Sequence, residues 1–294
     1  MGSAADFADA RARATALAER TSFRIGGVPE FLFEPATVEE TAEVVVACRR
    51  AAVPLRVLGG GCNLLVADGP LGGAVLATTR LRHERVLDDR VEVGAGNSFP
   101  GLVSRAAELG VPTLSGCPGI PGQVGGVVAM NAGGRFGYVA DALLEVLAVD
   151  LDGAPFVREV EPGDLGYRTS MFLGAAVVVA AAFRRDAALD RDAERRRFLE
   201  AAAWKRATQP LSAASAGCVF KNPPGGRSAG ALIDAVGLKG ERVGGAMVSP
   251  VHANYIVNDA SATFADVEAL IGRVRERVAA ATGAHLELEV QVWR

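Results

Sequence analysis

The sequence predicts an α+β protein built from more than one domain. Three observations carry that reading. In the first third, short apolar runs that end in glycine clusters alternate with amphipathic stretches; a mostly β stretch runs from Leu143 to Phe183; and a strongly periodic helix near the C-terminus is followed by an alternating segment. At 294 residues the chain is longer than most single cores, and with 50% hydrophobic residues it can bury a sizeable one in each domain.

The elements follow in order. "FRIGG" (Phe23 to Gly27) leads into "FLFEP", a short strand closed by Pro35. "TVEETAEVVVACRRAAV" reads as a helix, because Thr37 and Glu40 have capping-box spacing and apolar residues recur through Val45. "PLRVLGGGCNLLV" reads as strand, glycine turn and strand. "RVEVGAGNSFPGLVSRAAELG" repeats the theme, with Pro100 in the first helical turn and Gly110 as the stop. The charged stretch ending at Pro210 is predicted helical, and the shift in composition puts a boundary near residue 190. In "TFADVEALIGRVRERVAAATG", Val267, Leu270, Ile271, Val274 and Val278 form one helical stripe, Thr263 and Asp266 make a cap, and Gly283 ends the helix. In "HLELEVQVWR", Leu286, Leu288, Val290 and Val292 face one way, and Glu287, Glu289 and Gln291 the other.

Composition excludes several classes of function. A formal net charge of −3 gives no electrostatic case for nucleic acid or an anionic membrane. The basic clusters "ERRRF" and "GRVRERV" read as helix surfaces. Four cysteines (Cys48, Cys62, Cys117, Cys218) without C-x-x-C spacing, and histidines scattered at 83, 252 and 285, argue against a metal site and against a disulfide framework, and fit a reducing cytoplasm. The acidic N-terminus reads as an amphipathic helix rather than a secretory signal, and the longest apolar run, Leu173 to Phe183, is too short to span a bilayer.

Two glycine-rich segments stand out, "LGGGCN" and "GIPGQVGGVVAMNAGG", the second with Asn131 as a polar handle. Glycines let backbone N–H groups approach phosphate oxygens closely, although tight turns alone also use them. Neither segment has the G-x-G-x-x-G pattern, so two of them point to a dinucleotide held in another fold. Arg168 lies beside Tyr167 in "GDLGYRTSMF", and Cys218 lies near Lys221 and Asn222 in "SAGCVFKNP". Read alone, Arg168 is a surface ion-pair partner, Cys218 a packing residue, and the Glu287–Glu289 face the outside of an edge strand.

Taken in order, "TSFRIGG", "GGGCNLLV", "GIPGQVGGVVAMNAGG", "YRTS", "SAGCVFKNP", "GLKG" with "GGAMVSPVHANYIVN", and "LELEV" resemble the UDP-N-acetylenolpyruvoylglucosamine reductase family from about Thr21 to the C-terminus. The short span between "YRTS" and "FKNP" is similar to the family's second type. The resemblance implies a two-subdomain FAD-binding fold of the vanillyl-alcohol oxidase type plus a C-terminal α+β substrate domain. The expected order is an N-terminal helix (1–20), FAD-binding subdomains (21–80 and 81–190), a substrate-binding domain (191–283) and a strand returning to the active site (284–294). It implies non-covalent FAD, NADPH as co-substrate, a nucleotide-sugar substrate, and a cytoplasmic protein, expected to be a monomer, that works in peptidoglycan precursor synthesis.

By motif position, the resemblance assigns cofactor binding to Gly59, Gly60, Gly61, Cys62, Asn63, Leu64, Pro121, Gly122, Gly125, Gly126, Asn131, Ala132 and Gly133. It assigns substrate binding to Tyr167, Lys221, Asn222 and Lys239, and catalysis to Arg168, Cys218 and Glu289, with Glu287 as the fallback for Glu289. Arg168 is to stabilise charge on the substrate carboxylate, and Glu289 is to donate a hydrogen bond as a carboxyl kept neutral by burial. Cys218 stands where serine is the usual proton donor, and Cys62 where serine is common. Two alternatives stay open: another FAD-dependent oxidoreductase of the same fold, and a non-catalytic flavin-binding protein. No histidine in the FAD motifs offers the covalent tether that many such oxidases carry.

Overall fold

The computed structural model describes residues 5–294, which form two compact units. The first draws on residues 5–14, 30–60 and 72–205, the second on 15–29, 61–71 and 206–294. The expected N-terminal helix is one short helix, Phe7–Ala12, whose N-cap Asp6 accepts from the Ala8 and Asp9 N–H groups; a single 3-10 turn, Leu17–Arg20, follows. Positions 1–4 of that expectation lie outside the described residues.

In the first unit, strand Leu71–Ala77 lies between Pro29–Phe33 and Leu55–Leu58, the last running parallel to it. Helix Val38–Arg50 begins where the capping spacing puts it: the Thr37 hydroxyl accepts the Glu40 N–H at 3.1 Å. The Glu40 carboxylate reaches back to the Ala36 N–H at 2.7 Å, one residue beyond a true capping box. A five-stranded antiparallel sheet follows in the order Pro155–Glu159, Leu143–Asp150, Ala176–Arg184, Arg90–Gly94, Glu84–Val86. Its central strand is the continuous apolar run of the sequence, buried on both faces, which is why it does not alternate. The helix predicted up to Gly110 is broken at Arg105 into Phe99–Ser104 and Ala106–Leu109, and the Ser104 hydroxyl donates to the Gly101 carbonyl at 2.9 Å just before the break.

The second unit packs helix Phe264–Thr282 on the small antiparallel sheet Arg242–Val243, Ala246–Val248 and Ile256–Asn258. All five residues of the predicted stripe are buried, beside Phe23, Leu65, Phe220 and Ile233. A full capping box opens this helix, and Gly283, at φ 72°, closes it. The expected alternating C-terminal strand is corrected. Only Gln291–Trp293 forms a ladder, parallel to Leu64–Val66, while Leu288 makes a single bridge to Phe220. The cause is local: the Glu289 and Val290 N–H groups both point at the Val219 carbonyl, at 2.8 and 3.3 Å, and two successive N–H groups on one side break the two-residue alternation. Among the described residues no helix is long and apolar enough to cross a membrane.

Thr263→Ala removes the hydroxyl half of the capping box and is expected to cost about 1 kcal/mol, read as a lower urea midpoint for the second unit by circular dichroism.

Candidate active site

In the first unit the two glycine loops meet. Gly60, in the bend after strand Leu55–Leu58, packs on Gly122, ahead of helix Val124–Ala129; a Cβ on Gly60 would sit 2.7 Å from the Gly122 Cα. A Cβ on Gly59 would stand 3.6 Å from Gly126, whose own open side meets nothing within 4 Å. The second loop is braced from behind: Phe99 N–H donates to Gly122 O, Val124 N–H to Asn97 O and Gly125 N–H to Ala95 O, at 2.9–3.0 Å. Pro121 is exposed. Ala132 and Gly133 lead into the hairpin Gly133–Gly134 with Gly137–Tyr138. The two loops thus meet backbone to backbone, with Gly126 open on its free face, an arrangement that fits the phosphates of a dinucleotide such as FAD.

Arg168 sits in the two-residue turn of hairpin Leu165–Gly166 with Thr169–Ser170. It holds φ at 58°, a left-handed conformation that costs a non-glycine residue about 1–2 kcal/mol. Such strain persists where surroundings enforce it, and it gathers at functional positions. Asn131, itself buried, enforces it: its Nδ2 donates to the Gly166 carbonyl at 2.9 Å and its Oδ1 accepts the Ala140 N–H at 3.3 Å. The Ser170 hydroxyl ties the other arm of the hairpin to the Ala129 carbonyl at 2.7 Å. The Arg168 guanidinium lies 5.3 Å from the ring centre of Tyr167, which is exposed.

In the second unit the segment Cys218–Lys221 runs between two others. On one side Cys218 bridges to Tyr255, and the Val219 N–H donates to Asn254 O at 2.8 Å. On the other the Glu289 N–H donates to Val219 O, and the Lys221 N–H to Glu287 O at 2.9 Å. The main chains that carry Cys218 and Glu289 are therefore adjacent. Glu289 is half-buried and Glu287 exposed. The Asn63 amide donates to Glu289 O at 3.0 Å, and Asn63 O accepts the Gln291 N–H at 2.9 Å. Gly61 is required by packing, because any Cβ there would overlap the Arg20 carbonyl oxygen. Leu64 is buried in its ladder. Burial pushes the Cys62 thiol up, opposed by a hydrogen bond with Ser22.

The phosphate-binding candidates flank helix Ala229–Ala235. Asn222 caps its start by accepting the Ala229 N–H at 3.0 Å, and Lys239, beyond its end, is exposed and paired with Asp234 at 2.9 Å. His252 stands edge-on to Tyr255, ring centres 4.9 Å apart. Burial, and then the Lys239 charge, hold its imidazole below the ordinary value of 6.5. His252 and Asn254 escaped assignment from the sequence, where they are only a polar string ahead of an apolar strand. Arg168 belongs to the first unit; Cys218, Lys221, Lys239 and Glu289 belong to the second.

Comparison with known proteins gives a uniform result. Residues 29–156 match a family model described as FAD binding domain, and residues 209–293 one described as UDP-N-acetylenolpyruvoylglucosamine reductase, C-terminal domain. The UDP-N-acetylenolpyruvoylglucosamine reductase of Moorella thermoacetica is 41% identical over 278 residues, covering 94% of this chain and 91% of its own. That of Parasynechococcus marenigrum is 40% identical over 279 residues, covering 94% and 93%. The crystal structure of UDP-N-acetylenolpyruvylglucosamine reductase from Thermus caldophilus aligns with a TM-score of 0.81 at 39% identity, over 96% of this chain and 98% of that one.

Two outcomes are expected. Gly60→Ala forces its loop off Gly122, so the protein should lose thermal stability and retain less flavin through gel filtration, measured by absorbance. For His252, a folded-state value below the ordinary 6.5 means its stabilising share is present above that pH and is lost as pH falls through it. The melting temperature should therefore drop less between neutral pH and about pH 5 in His252→Gln than in the wild type.

Proposed function

This chain belongs to the UDP-N-acetylenolpyruvoylglucosamine reductase family, and from that membership we propose how its own residues carry out the reaction. The enzyme is an FAD-dependent oxidoreductase that uses NADPH to reduce UDP-N-acetylglucosamine enolpyruvate to UDP-N-acetylmuramate, a step in building peptidoglycan precursors. FAD, when bound, would supply the hydride-transfer chemistry that links NADPH to the enolpyruvyl ether.

The Gly59–Gly60 and Gly122–Gly126 loops would hold the dinucleotide phosphates: Gly59 and Gly60 let the two loops close on each other, and Gly126 is open on its free face. Arg168 would bind the substrate carboxylate. Negative charge developing on the adjacent carbon would spread into that carboxylate, where the guanidinium of Arg168, carried on a turn with a fixed backbone, would stabilise it. Glu289, as a carboxyl, would donate a hydrogen bond to the same charge. Cys218 would deliver its thiol proton to the carbon next to the carboxylate, and the thiolate left behind would be reprotonated from solvent. Lys221 and Lys239 would pair with the diphosphate, with Asn222 beside them. The observation that carries this reading is the adjacency of the two segments, Glu289 N–H to Val219 O at 2.8 Å, which puts the candidate acid and the candidate carboxyl on neighbouring main chains.

The reading takes the chain as a cytoplasmic monomer.

The test is NADPH oxidation driven by the enolpyruvyl substrate across pH. Cys218→Ala should lose at least about a hundredfold in rate, and Cys218→Ser should keep activity. Wild-type activity should decline on the alkaline side as the thiol ionises, with the decline moved to higher pH in the serine variant. Full activity in Cys218→Ala would overturn the assignment of the acid.

A further inference from the structure

Asn254 is one of the few fully buried polar side chains of the second unit, 3% exposed, and its carboxamide makes two hydrogen bonds to a single residue. Its Oδ1 accepts the Phe220 N–H at 3.0 Å and its Nδ2 donates to the Phe220 carbonyl at 2.8 Å. Its main-chain carbonyl accepts the Val219 N–H, and its N–H donates to His252 Nδ1 at 3.3 Å. Cys218 and Lys221 thus lie on either side of a dipeptide held by this one residue.

The need for it follows from the backbone. Phe220 turns its N–H and carbonyl toward the 254 side, where no strand continues, since only Cys218 and Tyr255 form a bridge there. On the other side the Val219 carbonyl is taken by the Glu289 and Val290 N–H groups. The buried Phe220 main chain would otherwise lack partners, at about 1–3 kcal/mol for each group. A carboxamide presents a donor and an acceptor side by side, as a peptide unit does. Ionised aspartate could accept the N–H but would offer the carbonyl nothing. Leucine would leave both groups unpaired.

We propose that Asn254 is a positioning residue for the protonation step: its paired hydrogen bonds to Phe220 fix the placement of the Cys218 thiol relative to the segment that carries Glu289. The proposal rests on the reading of Cys218 as the acid. The titratable groups on the segments around Asn254 are Cys218 and Lys221 on the clamped segment, Glu287 and Glu289 across it, His252 and Tyr255 on its own segment, and Asp234 on the helix that packs against it at Gly230, with its partner Lys239 beyond the helix end.

The experiment separates the two half-reactions in the FAD-loaded protein by stopped flow under anaerobic conditions, following flavin absorbance. In Asn254→Asp at alkaline pH, flavin reduction by NADPH should stay within about twofold of wild type. Reoxidation by the enolpyruvyl substrate should fall about tenfold or more, since small misplacements of a reacting group have effects of that size. Toward acid pH the introduced carboxyl takes up a proton and can again donate to the Phe220 carbonyl, so reoxidation should recover along a titration that the parallel wild-type profile lacks. That profile accounts for the other titratable groups named above. The pH dependence of Cys218 alkylation by iodoacetamide, read by peptide mass spectrometry, should shift in the same variant. Should Asn254→Asp fail to retain FAD, Asn254→Ser, which keeps a small donor and acceptor, is read in the same way.

A reoxidation rate and profile identical to wild type would overturn the proposal, as would an equal loss in both half-reactions. Cys218→Ala, measured alongside, tells the two failures apart. If it is fully active, the acid assignment fails and the proposal with it. If it is inactive while the Asn254 variants behave as wild type, only the positioning role fails.

Discussion

Asparagine carboxamides standing in for missing strand neighbours are the interaction on which the rest of the site depends. The segments that carry the candidate reacting groups are short and irregular, and irregular backbone that is buried has polar groups to satisfy. Asn131 satisfies the Gly166 carbonyl at the base of the Arg168 turn. Asn63 satisfies the Glu289 carbonyl, and Asn254 satisfies both groups of Phe220. Asn258 does the same away from the site, bonding the Phe23 carbonyl and the Ala262 N–H. A long ladder would meet the same demand, but it would also impose a straight two-residue alternation. A side-chain partner lets the chain bend where a functional group must point, and keeps the hydrogen bonds.

The glycines play the complementary part. Where asparagine adds a peptide-like group, glycine removes a side chain, and the two glycine loops combine the effects. Gly60 lets its loop touch Gly122 in the first unit, and Gly61, the next residue, lets the chain touch Arg20 and Thr21 in the second. Adjacent glycines therefore serve different packings. A run of three glycines reads from the sequence as one flexible loop, yet at two of its positions a Cβ would meet backbone that has no rotamer to yield.

Local chemistry was legible in the sequence; long-range pairing was not. The cap at Thr263, the stop at Gly283 and the stripe from Val267 to Val278 depend on residues within a few turns of one another, and all appear as read. The order of the motifs was specific enough to indicate the fold and the reaction. The C-terminal segment was misread, because its alternation from Leu286 to Val292 has the period of a strand while the break at Val290 depends on a carbonyl some seventy positions away, at Val219. The left-handed turn at Arg168 gives no local signal, since arginine is not a residue that selects that conformation. Asn131 reads from the sequence as a polar handle, but that its carboxamide reaches the Gly166 carbonyl is set by the fold. The two compact units interleave along the chain, with 61–71 joining 206–294.

A thiol at the position of the acid sets opposing demands on its surroundings. It must stay protonated to act, and neighbouring cations favour the thiolate, yet a substrate with a diphosphate calls for cations. The second unit moderates this conflict. Lys239 is paired with Asp234 at 2.9 Å, so its field is partly balanced before any ligand binds. His252, close enough for Lys239 to act on it, is held toward its neutral form, and it adds no second charge near neutral pH. Lys221 remains, three residues from Cys218, half-buried and held at its main chain by Glu287. In the proposed role, the thiol of Cys218 is a better intrinsic acid than a serine hydroxyl.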